Sequence, residues 1–215
     1  MEIAWYGLNC FRLNERGMAA VVTDPYDPSL GLTFPRSRAD VVTISWDDPR
    51  ANYTRGVRGP YRVVDTPGEY EIGGVFITAI STFADKKRGK QRGLNTIFHF
   101  DYDGVTICHL GHLGHVPTQT QVKELGAVDV LLIPVGGDGG LTPALASEVI
   151  SMLEPSVVVP MQYKIPGLEI SLGTLNRFLK QMGVEKSKPE ESLKISSRGL
   201  PSETEIIILE PRTGE

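Results

Sequence analysis

The sequence predicts an α/β protein of the mixed, α+β kind, with two sheets packed together and helices outside. Three observations carry this. Up to about residue 93, short apolar runs alternate with turns rich in Gly, Pro, Asp and Asn, the texture of successive strands. Beyond it, strand-like runs alternate with segments of helical periodicity. Strands in both parts are apolar on both sides, so each sheet needs a cover on each face. At 215 residues the chain is long enough to bury a large core. The expectation is one domain over 1–215, with a β-rich half (about 1–93) and an αβ half (about 94–215).

Ile3 to Tyr6, Cys10 to Leu13 and Met18 to Thr23 read as strands, with turns at Gly7-Leu8-Asn9 and Asn14-Glu15-Arg16-Gly17. Asp24-Pro25-Tyr26-Asp27-Pro28 breaks the pattern, because each proline biases its predecessor away from helix. Ala39 to Ser45 is a further strand, ending in the polar run Trp46 to Asn52. Tyr61 to Asp65, Glu69 to Ile72 and Val75 to Ile80 complete the β-rich half, bent at Thr66-Pro67-Gly68 and Gly73-Gly74. Lys86 to Gly93 is a basic loop. Thr96 to Phe100 and Val105 to Cys108 form a hairpin through Asp101 and Gly104.

A short helix follows at 118–125, closed by Gly126, and Val128 to Val135 is a near-continuous apolar strand. Thr142-Pro143 starts the next helix, with Pro at its first position. Leu145, Val149, Met152 and Leu153 share one face of it. Val157 to Val159 is a buried strand. Leu175, Phe178, Leu179 and Met182 form a last helical face, stopped by Gly183. Glu205 to Leu209 closes the chain as a strand.

The formal charge of −4 gives no reason to expect nucleic acid, and no apolar run approaches membrane-spanning length. Cys10 and Cys108 are too few for a disulfide framework and lack metal-binding spacing, so buried thiols are expected. The first residues read as a strand and not as a signal peptide, which makes the cytoplasm the default location.

Three of the four histidines fall in Ile107-Cys108-His109-Leu110-Gly111-His112-Leu113-Gly114-His115, a strand running into a glycine-rich turn. Histidines at such an edge are normally metal ligands or acid–base groups, if the rest of the chain supplies partners. No nucleophilic triad is visible, since His109 and its neighbour Cys108 point to opposite faces of a strand. Gly136-Gly137-Asp138-Gly139-Gly140 lacks the Lys-Ser/Thr pair of a phosphate-binding loop.

Six landmarks fall in a familiar order: Trp5-Tyr6-Gly7, Thr23-Asp24-Pro25, Pro67-Gly68-Glu69-Tyr70, Cys108-His109-Leu110-Gly111, Ile133 to Gly137 and Pro160-Met161. In these the chain resembles metallo-β-lactamase-fold hydrolases, in the branch related to L-ascorbate-6-phosphate lactonase. The resemblance implies a four-layer αββα sandwich with zinc or manganese at one edge. It also implies ligands that this sequence has replaced. The His-x-His-x-Asp-His frame falls on Trp46-Asp47-Asp48-Pro49-Arg50-Ala51, the next histidine on Ala84 beside Asp85, the bridging aspartate on His112 and the late histidine on Gln162. A further histidine, often found after Trp-x-Gly, is Leu8.

A catalytic zinc needs at least three protein donors and an open position for water. Trp46, Ala51 and Ala84 cannot donate, and Arg50 would repel a dication. The favoured expectation is therefore a vestigial pocket with no metal cofactor, in a binding or scaffold protein that associates with itself or with an active paralogue. Asp48 and His112 are expected to fill the pocket as an ion pair. Two alternatives stand beside it: a hydrolase with a rebuilt single-metal site on Asp48 and His112, helped by Asp47 or Asp85, and a binder of a small anionic ligand. The anion would meet Lys86, Lys87, Arg88, Lys90 and Arg92, with Arg50, Arg55 and Arg58 nearby.

Overall fold

The computed structural model describes residues 1–185 and 188–214. In chain order its first strands are β1 (Glu2–Gly7), β2 (Cys10–Asn14), β3 (Val21–Thr23), β4 (Ser37–Arg38), β5 (Val41–Thr43), β6 (Val57–Arg58), β7 (Arg62–Val64), β8 (Gly68–Ile72) and β9 (Val75–Phe83). Then come β10 (Leu94–Asp101), β11 (Thr106–His109), α1 (Gln119–Leu125), β12 (Val130–Pro134), α2 (Pro143–Leu153), β13 (Val157–Met161), α3 (Leu175–Met182), β14 (Leu193–Lys194) and β15 (Glu205–Ile206).

One main sheet has the order β14-β1-β2-β3-β5-β7 and the other β15-β13-β12-β11-β10-β9-β8, while β4 and β6 pair in parallel as a separate two-stranded sheet. The strands alternate inward and outward residues, and the inward sets of both sheets interdigitate. Phe11 of β2 sets its edge against His109 of β11, and Trp5 of β1 stacks with Phe11 and packs on Tyr163 just after β13. Tyr6, on the opposite face of β1, meets Phe34, so the segment after Pro25 covers the outside of that sheet.

The expected αββα sandwich is present with unequal outer layers. All three α-helices of the described residues come after residue 118, and α2 packs on β12 and α3. Parallel β11, β12 and β13 need crossovers, which α1 and α2 supply. Their starts are chemically explicit. Thr118 and Gln121 form a capping box, Thr142 caps α2 ahead of Pro143, and left-handed Gly183 ends α3.

The sheets do not divide where the sequence texture changes near residue 93. The long hairpin β9–β10 pairs Phe83 with Leu94 through to Phe76 with Asp101, which carries β8 and β9 into the second sheet. Near the C-terminal end, β14 pairs with β1 while β15 pairs with β13, so one segment joins both sheets. The expected strands Ala39–Ser45 and Glu205–Leu209 are shorter, at Val41–Thr43 and Glu205–Ile206; the first ends early because Ser45 turns to bind Asp24. No helix among the described residues is long and apolar enough to cross a membrane.

Candidate functional site: a closed pocket at the sheet edge

The turns after β1, β3, β5, β9, β11, β12 and β13 converge on one edge of the sandwich. At its centre is His112, carried out of β11 by a turn that only glycine permits. Gly111 has φ of 58°, and a β-carbon there would lie 2.4 Å from Ser45 Cβ and 2.7 Å from Asn95 Oδ1. Asn95 holds the turn, since its Oδ1 accepts the His112 N–H at 2.7 Å and its Nδ2 donates to Leu110 O at 3.1 Å.

Asn9 Nδ2 donates to Gly111 O at 2.9 Å and to His112 Nδ1 at 3.0 Å. An amide nitrogen cannot accept, so His112 Nδ1 is the lone-pair nitrogen and Nε2 carries the proton. Nε2 is buried and has no partner among the described residues. Burial, with Arg50, His109 and Arg92 nearby, drives this imidazole well below its ordinary range, so it is neutral.

Asp24 lies beneath it, at φ of 39° and fully buried. Its carboxyl accepts the Ser45 N–H at 2.7 Å and the Ser45 hydroxyl. Burial raises Asp24 to about 7, and the two Ser45 hydrogen bonds only partly offset this. His112 Nδ1 and Asp24 Oδ2 are 3.8 Å apart, which is too long for a hydrogen bond, and the neutral imidazole makes no ion pair across that gap.

Trp46 closes the pocket. Its ring centroid is 4.7 Å from that of His112, and its Nε1 donates to Arg92 O at 2.7 Å. Arg50 and Arg92 place their guanidinium carbons 5.0 and 5.9 Å from the indole centroid. Asp138, from the glycine-rich loop after β12, binds both arginines: Oδ2 to Arg50 Nη1 at 2.6 Å and Oδ1 to Arg92 Nη2 at 3.3 Å.

The expected Asp48–His112 ion pair does not form. Asp48 Oδ1 accepts from Arg50 N at 3.1 Å and faces Arg50 Nε at 3.2 Å, because the 46–52 segment folds into tight turns that aim its carboxylate back on itself. His112 is satisfied by Asn9 instead. Asp47 accepts from Asn52 Nδ2 at 2.8 Å. Asp85, also weighed as a donor, has both oxygens filled by the N–H groups of Lys87, Gly89, Gln91 and Arg92 at 2.7 to 3.1 Å. Burial opposes that charge, yet the four donors hold the carboxylate below its usual range. Ala51 and Ala84 are buried, and Gln162 sits at φ of 53° with its N–H on Leu8 O at 3.1 Å.

Of the basic loop, Arg92 reaches the pocket edge; Lys86, Lys87, Arg88 and Lys90 are exposed. His109 Nε2 donates to Asn9 O at 2.8 Å, and burial lowers its pKa to about 4. His99 bonds Ala127 O at 2.9 Å, and His115 bonds Val116 O at 2.8 Å, so both serve local structure. Sequence reasoning missed Asn9, Ser45 and Asn95. Each is a small polar residue at a strand end, where an ordinary turn gives the same signal.

The residues present do not fit a metal. Among the described residues no three His, Cys, Asp or Glu side chains group as ligands. His112 Nε2, the unpartnered imidazole nitrogen at this edge, carries a proton and lies under an indole ring and two guanidinium groups, the wrong surroundings for a cation.

Two sheets face to face, helices over the second, and a pocket built from strand-end turns at one edge define a metallo-β-lactamase fold. The chain belongs to the β-lactamase superfamily: residues 2–162 match the model for the β-lactamase superfamily domain. A UPF0173 metal-dependent hydrolase of Methanoculleus marisnigri is 25% identical over 219 residues, covering 91% of this chain and 97% of that protein. A UPF0173 protein of Pyrococcus furiosus is 25% identical over 189 residues, covering 76% and 83%. A Thermotoga maritima crystal structure, of a proposed zinc-dependent hydrolase of the metallo-β-lactamase superfamily, superposes with a TM-score of 0.79 at 36% identity over 97% of each chain.

Proposed function

We propose that this chain is a non-catalytic member of a metal-dependent hydrolase family, acting as a binding or scaffold protein. The carrying observation is the Trp46 ring over His112, flanked by Arg50 and Arg92, where the family resemblance places metal ligands. A metallohydrolase makes its nucleophile by lowering the pKa of a metal-bound water, and this donor set offers no such cation a seat. The scaffold is retained while its edge is sealed by Trp46 and by arginines already paired with Asp48 and Asp138, as suits recognition without turnover. Partners of this reading are a second copy of the chain or an active paralogue.

Calorimetric titration of Zn²⁺ and Mn²⁺ into the metal-stripped chain tests it. The expected result is no saturable binding at micromolar concentration and no ester, lactone or phosphodiester hydrolysis in the presence of either ion. Stoichiometric binding abolished by His112→Ala, with turnover, would overturn it.

A further inference from the structure

The loop after β12 carries one carboxylate among four cations. Asp138 holds Arg50 and Arg92 on one side. On the other side, Asp138 lines a cavity of about 500 Å³ together with Lys164 and Arg177 and the hydroxyl-bearing Thr142, Ser171 and Thr174. Asp138 is the sole acid on that wall. Neither Lys164 nor Arg177 has an ion-pair partner among the described residues. The Thr174 hydroxyl makes no capping bond to its own helix.

The loop is shaped to hold the carboxylate there. Gly137, Asp138 and Gly139 take φ of 75°, 54° and 82°, three left-handed residues in a row. Aspartate tolerates that region better than most residues. Gly139, at φ of 82°, lets the Arg92 guanidinium lie against the backbone, since a β-carbon there would lie 2.6 Å from Arg92 Nε and push that side chain away. The Arg50 and Arg92 side chains are 19% and 27% exposed and Asp138 is 30% exposed, so solvent and a solute reach the contact.

We propose that this is a binding site for a small molecule bearing a phosphoryl dianion, and that Asp138 is its internal stand-in. The ligand binds Lys164 and Arg177 in the cavity and displaces the Asp138 carboxylate from Arg50 and Arg92. Guanidinium forks pair with an oxyanion through two parallel hydrogen bonds, which matches a phosphoryl group better than a monovalent halide. The cavity volume is in the range of small-molecule sites. This deepens the binding reading of the same edge of the fold, but needs neither metal nor turnover. Failure to bind an anion leaves the non-catalytic reading standing, and metal-dependent turnover would sink that reading without touching this one.

The test is calorimetric titration of inorganic pyrophosphate into the full chain at low ionic strength, with NaCl matched in ionic strength as control. One-to-one saturable binding is expected. Lys164→Ala/Arg177→Ala should weaken it by roughly tenfold or more. Asp138→Asn should tighten it several-fold, because the competing charge is gone while a side chain of similar shape remains. Thermal melts of each variant confirm folding, and if Asp138→Asn does not fold, the double variant decides alone. The proposal is overturned by an absence of saturable heat in wild type, by equal affinity in the double variant, by weaker binding in a folded Asp138→Asn, or by NaCl reproducing the effect.

Discussion

Asp24 is a buried carboxyl, and His112, 3.8 Å from it, is neutral. With its pKa near 7 in the fold and about 3.9 in the unfolded chain, folding takes up a proton between those values. Its stabilising contribution is therefore complete below about pH 4 and lost as pH climbs through 7. His109 and His112 act with the opposite sign. Both are held neutral by burial, so their contribution is complete above about 6.5 and lost as pH falls. The two trends oppose each other between about pH 4 and 6.5, and wild type alone will show little of either. Asp24→Asn separates them, since an amide can keep both Ser45 contacts without titrating. Measured by urea denaturation, the variant should gain on wild type by about 2–3 kcal/mol between pH 5 and 8. A constant offset would show that Asp24 does not carry the proton. Trp46→Ala is expected to cost about 2 kcal/mol and to bring His112 back toward an ordinary imidazole titration, followed by NMR. An unmoved His112 would mean that Trp46 is not its cover. His112 stood out in the sequence because histidine is rare here. Asn9, Ser45 and Asn95 did not, because their roles come from partners about 20 to 100 residues away in sequence.

At the scale of elements, the turn leaving β11 and the loop after β9 bear most on the site. Gly114 leaves no room for a side chain, since a β-carbon would lie 2.3 Å from Asp85 N. Gly111→Ala adds strain at positive φ to a clash with Ser45, and should destabilise by at least about 2 kcal/mol in denaturant unfolding. Wild-type stability in that variant would contradict the packing described. Asp85→Ala removes the acceptor for four loop N–H groups. Trypsin should then cut at Lys86 to Arg92 several-fold faster than in wild type, and an unchanged rate would show that Asp85 does not order the loop. The helices were legible from local chemistry alone: Thr118 with Gln121, Thr142 with Pro143, and Gly183 each mark an end. Strands of two or three residues such as β4, β6 and β14 carry too few alternations to register, and their pairing is fixed by the sheets around them.

For the whole molecule, periodicity could foresee two covered sheets but not the crossing of β8 and β9 into the second, nor the return of β14 to the first. Those are long-range pairings, and the six landmark segments implied the αββα sandwich through the family they resemble but not which strand joins which sheet. The same comparison exposed what had changed at the edge: Trp46, Arg50, Ala51, Ala84 and Gln162 stand where donors are expected. The sequence could not show that Asp48 would turn to Arg50, because that depends on how 46–52 folds. It also could not show Arg92 and Asp138 meeting over Trp46, which needs the β9–β10 loop beside the β12–α2 loop. If this edge of the fold is a pocket closed to cations, as proposed, it takes up no metal. A crystal soaked in Zn²⁺ and Mn²⁺, with data collected at each metal's absorption edge, tests it most directly. No anomalous density is expected between the sheets near His112. A strong peak within coordination distance of His112 Nε2, with Trp46 swung aside, would contradict it.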